Sequence, residues 1–115
     1  MAVSVTIWHN PRCTKSRQTL ALLTERGIAP VVRLYLQDPP TRAELEATAR
    51  ALDLPPSGFI RRGEAEYRDL GLAGASDAAL LDAMAAHPRL IERPVVLTAK
   101  GARLGRPPEA VLDIL

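Results

Sequence analysis

The chain has 115 residues, 47% of them hydrophobic and 24% charged, with a formal net charge of +2. That length makes one ordinary globular domain, with no apolar run near the roughly 18 residues that span a bilayer. The 15 Lys and Arg are scattered and aromatics make up only 3%, which argues against a nucleic-acid stripe or a stacking platform and favours a small anion as charged partner.

Residues 3–8, VSVTIW, are β-branched and aromatic and predict a short first strand. This run is too short and too interrupted for a signal peptide, so a cytoplasmic protein is expected. The loop HNPRC follows. Thr14 to Arg26 predicts a helix with Leu20 and Leu23 on one side, closed by Gly27 as a left-handed cap. VVRLYL, residues 31–36, predicts a second strand. Pro39-Pro40 ends this β-loop-α-β unit.

Thr41 and Glu44 form a capping box ahead of a helix with Leu45, Ala49 and Leu52 on one face. Pro55-Pro56 stops that helix. Ser57 is expected to cap a short helix through Phe59 and Ile60, and a further helical piece ends at Gly71. Ser76-Asp77 opens the helix DAALLDAMAAH before Pro88. Residues 41–88 are therefore expected to be wholly helical. PVVLT (94–98) and ARLGR (102–106) flank Ala99-Lys100-Gly101, a hairpin signal with Gly at the turn. PEAVLDIL then predicts a short C-terminal amphipathic helix. The expected fold class is α/β: a single thioredoxin-like domain, βαβ…ββα, with a four-stranded mixed sheet and a helical insertion at about 41–88 between its halves.

The single cysteine, Cys13, falls at the turn from the first strand into the first helix. One Cys excludes an internal disulfide and a multi-cysteine metal site, and no metal ligands are expected. Unpaired amides at a helix start favour a thiolate and an oxyanion beside it. Free cysteine, with a pKa near 8.5, is only about 3% thiolate at pH 7; lowering it by ~2 units, worth ~2.7 kcal/mol, makes it mostly thiolate. The alternative is a small buried hydrophobe, the usual fate of a lone cysteine; its polar neighbours Arg12 and Thr14 weigh against that. His9 either supports the thiol loop or is an ordinary structural histidine.

Spacing separates the thiol chemistries. Cys13-Thr14-Lys15-Ser16 is C-x-x-S, so position 16 cannot resolve a mixed disulfide as a second cysteine does. A phosphatase-type C-x5-R cradle is absent, because the sixth residue after Cys13 is Thr19. Any turnover at Cys13 needs a thiol from another molecule, and glutathione or a glutaredoxin is the obvious donor.

HNPRC-x-x-SR, YLQDPPTRAEL, ERPVV and RLGRPPEAVLDIL together resemble the glutaredoxin-dependent arsenate reductase family, over about residues 5–115. The resemblance implies the thioredoxin-like fold with its helical insertion. It implies that Cys13 is the nucleophile toward arsenate, that Arg61, Arg93 and Arg106 hold the oxyanion, and that Pro94 is the cis-proline facing the thiol. It also implies thiolate support from His9, Asn10, Ser16 and Arg17. Glutathione as co-substrate and glutaredoxin as partner are implied, with no bound cofactor, no nucleic acid, no membrane and a monomeric chain. Plasmid-type members carry Gly-Thr where this chain has Thr14-Lys15, a bulkier and charged pair beside the nucleophile. Two other functions compete. Spx-type regulators share the fold and bind RNA polymerase, but they use C-x-x-C as a redox switch. A glutathione-linked thiol protein acting on another substrate is the third.

Overall fold

The computed structural model describes residues 4–115. Its contacts divide the chain into two compact units, residues 4–38 with Arg93–Leu115, and Pro39–Glu92. The second unit covers the stretch in which the insertion was expected at about 41–88.

The first unit carries the sheet. Its elements are β1 (Thr6–Trp8), α1 (Thr14–Glu25), β2 (Val31–Arg33), β3 (Val95–Thr98), β4 (Gly101–Leu104) and a C-terminal 3-10 helix, Pro108–Ile114. The strand order is β2-β1-β3-β4. β1 runs parallel to β2, with Ile7 opposite Val32, and antiparallel to β3, with Ile7 opposite Val96. β3 and β4 form an antiparallel hairpin. This is the thioredoxin-like four-stranded mixed sheet, and α1 is the crossover that its parallel pair requires.

One core organises this unit. Ile7 and Val96 from the sheet, with Val5 just ahead of β1, meet Leu23 of α1 and Val111 and Ile114 of the C-terminal helix, and all are buried. Leu20 and Leu22 pack at its margin. Truncating a residue such as Leu23 to Ala would cost about 2–5 kcal/mol through lost transfer energy and the cavity left behind.

Four local expectations change. The first strand is Thr6–Trp8 rather than 3–8, and Val3 lies outside the described residues. The second strand stops at Arg33 because the Leu34 carbonyl accepts from the amides of Gln37 and Asp38, turning the chain away from the sheet. Gly101 is not in the hairpin turn: it pairs with Thr98 inside β4, at φ 143°, so the turn is Ala99-Lys100 alone. The C-terminal segment winds as a 3-10 helix rather than an α-helix.

The second unit contains α2 (Arg42–Leu52), a 3-10 turn at Pro56–Gly58, α3 (Ala65–Asp69), α4 (Asp77–Ala86) and a 3-10 turn at Pro88–Leu90. It is not wholly helical, since Ile60 and Ile91 form an antiparallel bridge. The 3-10 turn starts from Pro55, and Ser57 lies inside it without capping. Thr48, rather than Ala49, joins Leu45 and Leu52 as the buried face of α2. Arg42 ties α2 to α4 through Asp82, at 2.7 Å. Ser76 caps α4 by accepting from the Ala79 amide.

The capping box at α2 is complete. The Glu44 amide donates to Thr41 Oγ1 at 3.1 Å, and the Thr41 amide donates to Glu44 Oε1 at 3.0 Å. Thr41→Ala is expected to cost about 1 kcal/mol, read from the midpoint of a urea titration; an unchanged midpoint would mean the exposed box adds nothing.

Candidate active site

The candidate site is built on the β1–α1 junction. Strand β1 ends at Trp8, and residues 9–13 turn the chain into α1. The turn is fixed by its own hydrogen bonds. The Cys13 amide donates to the Asn10 carbonyl at 3.0 Å. The Arg12 amide donates to Asn10 Oδ1, also at 3.0 Å. The Asn10 amide in turn donates to Ser16 Oγ at 3.0 Å. Asn10 therefore shapes the loop from both its backbone and its side chain.

Cys13 occupies the N-cap position of α1 in extended conformation, and no hydrogen bond of capping geometry satisfies the first turn through its side chain. The residue is 8% exposed and is a free thiol. Burial pushes the thiol up. Against it act the Ser16 backbone amide, the Arg93 charge, a hydrogen bond from Arg93 and the Lys15 amide, and the outcome is a thiol held below the ordinary cysteine value. Ser16 thus assists the thiolate through its main chain, while its hydroxyl is spent on the loop.

Two arginines that flank the β3–β4 hairpin address the sulfur. Arg106 Nη1 stands 4.0 Å from Cys13 Sγ and donates to the Arg93 carbonyl at 3.1 Å. Arg93 immediately precedes Pro94, and the peptide bond between them is cis. The bond between Arg106 and Pro107 is cis as well, which the sequence did not lead us to expect. Cys13, Arg93 and Arg106 thus come together from positions up to 93 residues apart in sequence.

His9 is buried, and its Nδ1 lies 2.6 Å from Ser16 Oγ. Ser16 Oγ also accepts from the Asn10 amide, so one hydroxyl ties the imidazole to the loop backbone. Burial first, and the Arg17 charge second, lower the His9 pKa. His9 is accordingly a neutral brace of the loop, not a cation beside the thiolate. Arg17 also acts on the loop: it donates to the Pro11 carbonyl at 2.8 Å and to Thr14 Oγ1 at 3.2 Å.

Arg61 belongs to the second unit. There it is ion-paired with Glu64, which also receives Arg89 at 3.4 Å. Its neighbour Arg62 is exposed and reaches the Ser57 carbonyl at 3.5 Å.

Two further residues belong to the site's support. Thr19 Oγ1 donates to the Lys15 carbonyl at 2.8 Å and lies 3.4 Å from the Gly105 carbonyl. The Gly105 amide donates to the Pro94 carbonyl at 2.9 Å. A Cβ at position 105 would collide with Thr19 Oγ1 and would stand 2.6 Å from Pro94 Cγ. Glycine is therefore required for close approach where α1, Pro94 and the residue before Arg106 meet. The only sequence signal for this was a glycine directly ahead of a candidate arginine.

A family model described as the ArsC family matches residues 8–114. The chain belongs to the ArsC family. It is 50% identical to an arsenate reductase of Rhizobium meliloti (strain 1021) over 115 residues, covering 98% of this chain and 82% of that protein. It is 45% identical to an arsenate reductase of Haemophilus influenzae, covering 98% of this chain and the whole of that protein. The structure of an arsenate reductase from Vibrio cholerae superimposes with a TM-score of 0.97 at 50% identity, over the full length of both chains. Membership of the ArsC family and the thioredoxin-like sheet agree with each other.

The electrostatics of this ArsC site set two pH dependences. Alkylation of Cys13 by iodoacetamide should follow a titration whose midpoint lies below that of ordinary cysteine, and Arg93→Ala should move it upward. A midpoint at or above the ordinary value would mean burial outweighs the amides and arginines. For His9 the lowered pKa means the unfolded chain binds its proton first on acidification. Stability is then complete above the ordinary histidine value of about 6.5 and declines as pH falls from there through the lowered folded value. Urea midpoints between pH 7.5 and 5 should show this decline, and His9→Gln should flatten it.

Proposed function

We propose that the chain is an arsenate reductase that uses one nucleophilic cysteine, with glutathione and glutaredoxin as thiol donors. The observation that carries this is a depressed thiol at a helix start faced by Arg106, with Arg93 at its side, in a chain of the ArsC family. Arsenate at neutral pH is a mono- or dianion, and a thiolate approaching it meets like charge. Guanidinium groups neutralise and orient the oxyanion through paired hydrogen bonds that lysine does not offer. Fixed donors aimed at developing charge contribute several kcal/mol to such a step.

The chemistry balances with two external thiols. The Cys13 thiolate forms an S–As(V) bond, and an arsenate oxygen leaves as water after protonation. Glutathione then attacks the adduct, and glutaredoxin resolves the mixed thiol species. Two thiol equivalents end as one disulfide, and their two electrons reduce As(V) to As(III), released as arsenite. Ser16 occupies the position where a second cysteine would otherwise supply that resolving thiol within the chain.

The test is NADPH oxidation coupled through glutathione reductase, with arsenate, glutathione and glutaredoxin present. Turnover should require all three, and Cys13→Ser should reduce it to background. Arg93→Ala and Arg106→Ala should each lower kcat/KM about ten- to hundredfold, the loss of a charge-assisted hydrogen bond worth about 1.5–3 kcal/mol. Arsenate-dependent turnover surviving in Cys13→Ser would remove the proposal. Failure of the wild-type protein to use arsenate while Cys13 still glutathionylates would point to a different oxidised substrate, with Thr14-Lys15 the first difference to exchange.

A further inference from the structure

The buried stripe of α1 is Ser16, Thr19 and Leu23, spaced i, i+3 and i+7 along one helix face. Leu23 serves the core. The two positions nearer the thiol are hydroxyls with no exposed surface. A hydroxyl buried where an apolar side chain would fit costs free energy unless it is hydrogen-bonded, and each of these has partners. Ser16 Oγ holds the loop through His9 and the Asn10 amide. Thr19 holds the exit of β4.

The Thr19 hydroxyl is forked. It donates to the Lys15 carbonyl, one turn back, at 2.8 Å, and a longer branch of 3.4 Å reaches the Gly105 carbonyl. A Cβ at Gly105 would also come within 3.1 Å of Thr19 Cγ2, so the whole threonine side chain lies against that glycine. Pro94 closes on the same glycine, and its carbonyl accepts from the Gly105 amide at 2.9 Å. Both arginines of the site leave from this junction. Arg106 follows Gly105, and Arg93 precedes Pro94. Arg106 Nη1 reaches the Arg93 carbonyl at 3.1 Å and stands 4.0 Å from Cys13 Sγ. Thr19 itself is the sixth residue after Cys13, on the helix that Cys13 opens. The helix carrying the thiol and the backbone carrying the guanidiniums are therefore spaced by the Thr19 side chain. A methyl carbon packs best at roughly 3.5–4.0 Å from its neighbours. A carbon in place of Oγ1 would remove the donor and press the junction away from the helix.

We infer that Thr19 is a positioning residue: its hydroxyl sets the spacing between α1 and the Pro94–Gly105 junction, and with it the reach of Arg93 and Arg106 to the Cys13 sulfur. The inference deepens the proposed function and rests on it for the oxyanion, since the same spacing shapes the cradle between thiol and guanidiniums. Its effect on the thiol is independent of which substrate the site takes.

The test is the pH dependence of Cys13 alkylation by iodoacetamide in Thr19→Val and Thr19→Ser, each first checked for a cooperative urea transition. Thr19→Val should raise the midpoint by about half a pH unit, whereas Thr19→Ser, which keeps the oxygen, should stay at the wild-type value. In a chain carrying Arg93→Ala and Arg106→Ala, Thr19→Val should add no further shift. Thr19→Ala carries the same comparison where the valine variant does not fold. A midpoint unmoved by loss of the hydroxyl, or moved equally by Thr19→Ser, would overturn the inference. So would a shift undiminished without the arginines, because the effect would then run through the Lys15 carbonyl and the first turn. In the coupled assay Thr19→Val should lower kcat/KM for arsenate about tenfold. A thiol shift without any wild-type arsenate turnover upholds the positioning role and removes the reductase function; turnover without the thiol shift does the reverse.

Discussion

The first turn of α1 has amides with no partner in the helix, and the residue placed against them is a sulfur. An oxygen at the N-cap, as Ser76 provides for α4, closes that account with a hydrogen bond. Cys13 does not close it in that way, so the amides of Lys15 and Ser16 remain directed at a group that binds them best when ionised. The strand that ends at Trp8, the asparagine-braced turn and the His9–Ser16 hydrogen bond serve this one arrangement. Each of them fixes the angle at which the helix start meets the thiol.

The arginines complete the balance against burial. A thiol at 8% exposure would ordinarily resist ionisation. Arg93 and Arg106 come from the two ends of the β3–β4 hairpin, and the antiparallel pairing of those strands brings the ends together. Gly105 permits the close packing that sets where Arg106 begins. The position of the charge is thereby a property of sheet register and main-chain contact, with little left to the long side chains.

Much of this was legible in the residues. HNPRC between a β-branched run and a helical run put Cys13 at the strand-to-helix turn, where the structure has it, and the glycine after α1 located that helix's end. Thr41 and Glu44 announced α2 through chemistry confined to four residues, which is why that element's start was recovered. The strand at 31–36 was overextended because alternation persists through Leu34 and Tyr35, whereas the turn that ends it depends on main-chain hydrogen bonds that no side-chain pattern records. Ser57 looked like a cap because its type favours caps, but Pro55 and Pro56 already fix the backbone there. Within the site, the resemblance implied support from His9, Asn10, Ser16 and Arg17, yet the two contacts of Ser16 were visible only in three dimensions: the hydroxyl braces the loop and the amide faces the sulfur. Thr19 and Gly105 went unmarked because their contact joins residues 86 positions apart.

These 115 residues contain one sulfur nucleophile and no second cysteine. A disulfide at Cys13 therefore cannot close within these 115 residues. Each disulfide state differs from the reduced chain by the mass of whatever is attached, so intact mass alone identifies the last thiol that reached the site. Recovery is governed by the supply and accessibility of external thiols, and the protein's working state follows the thiol pool around it.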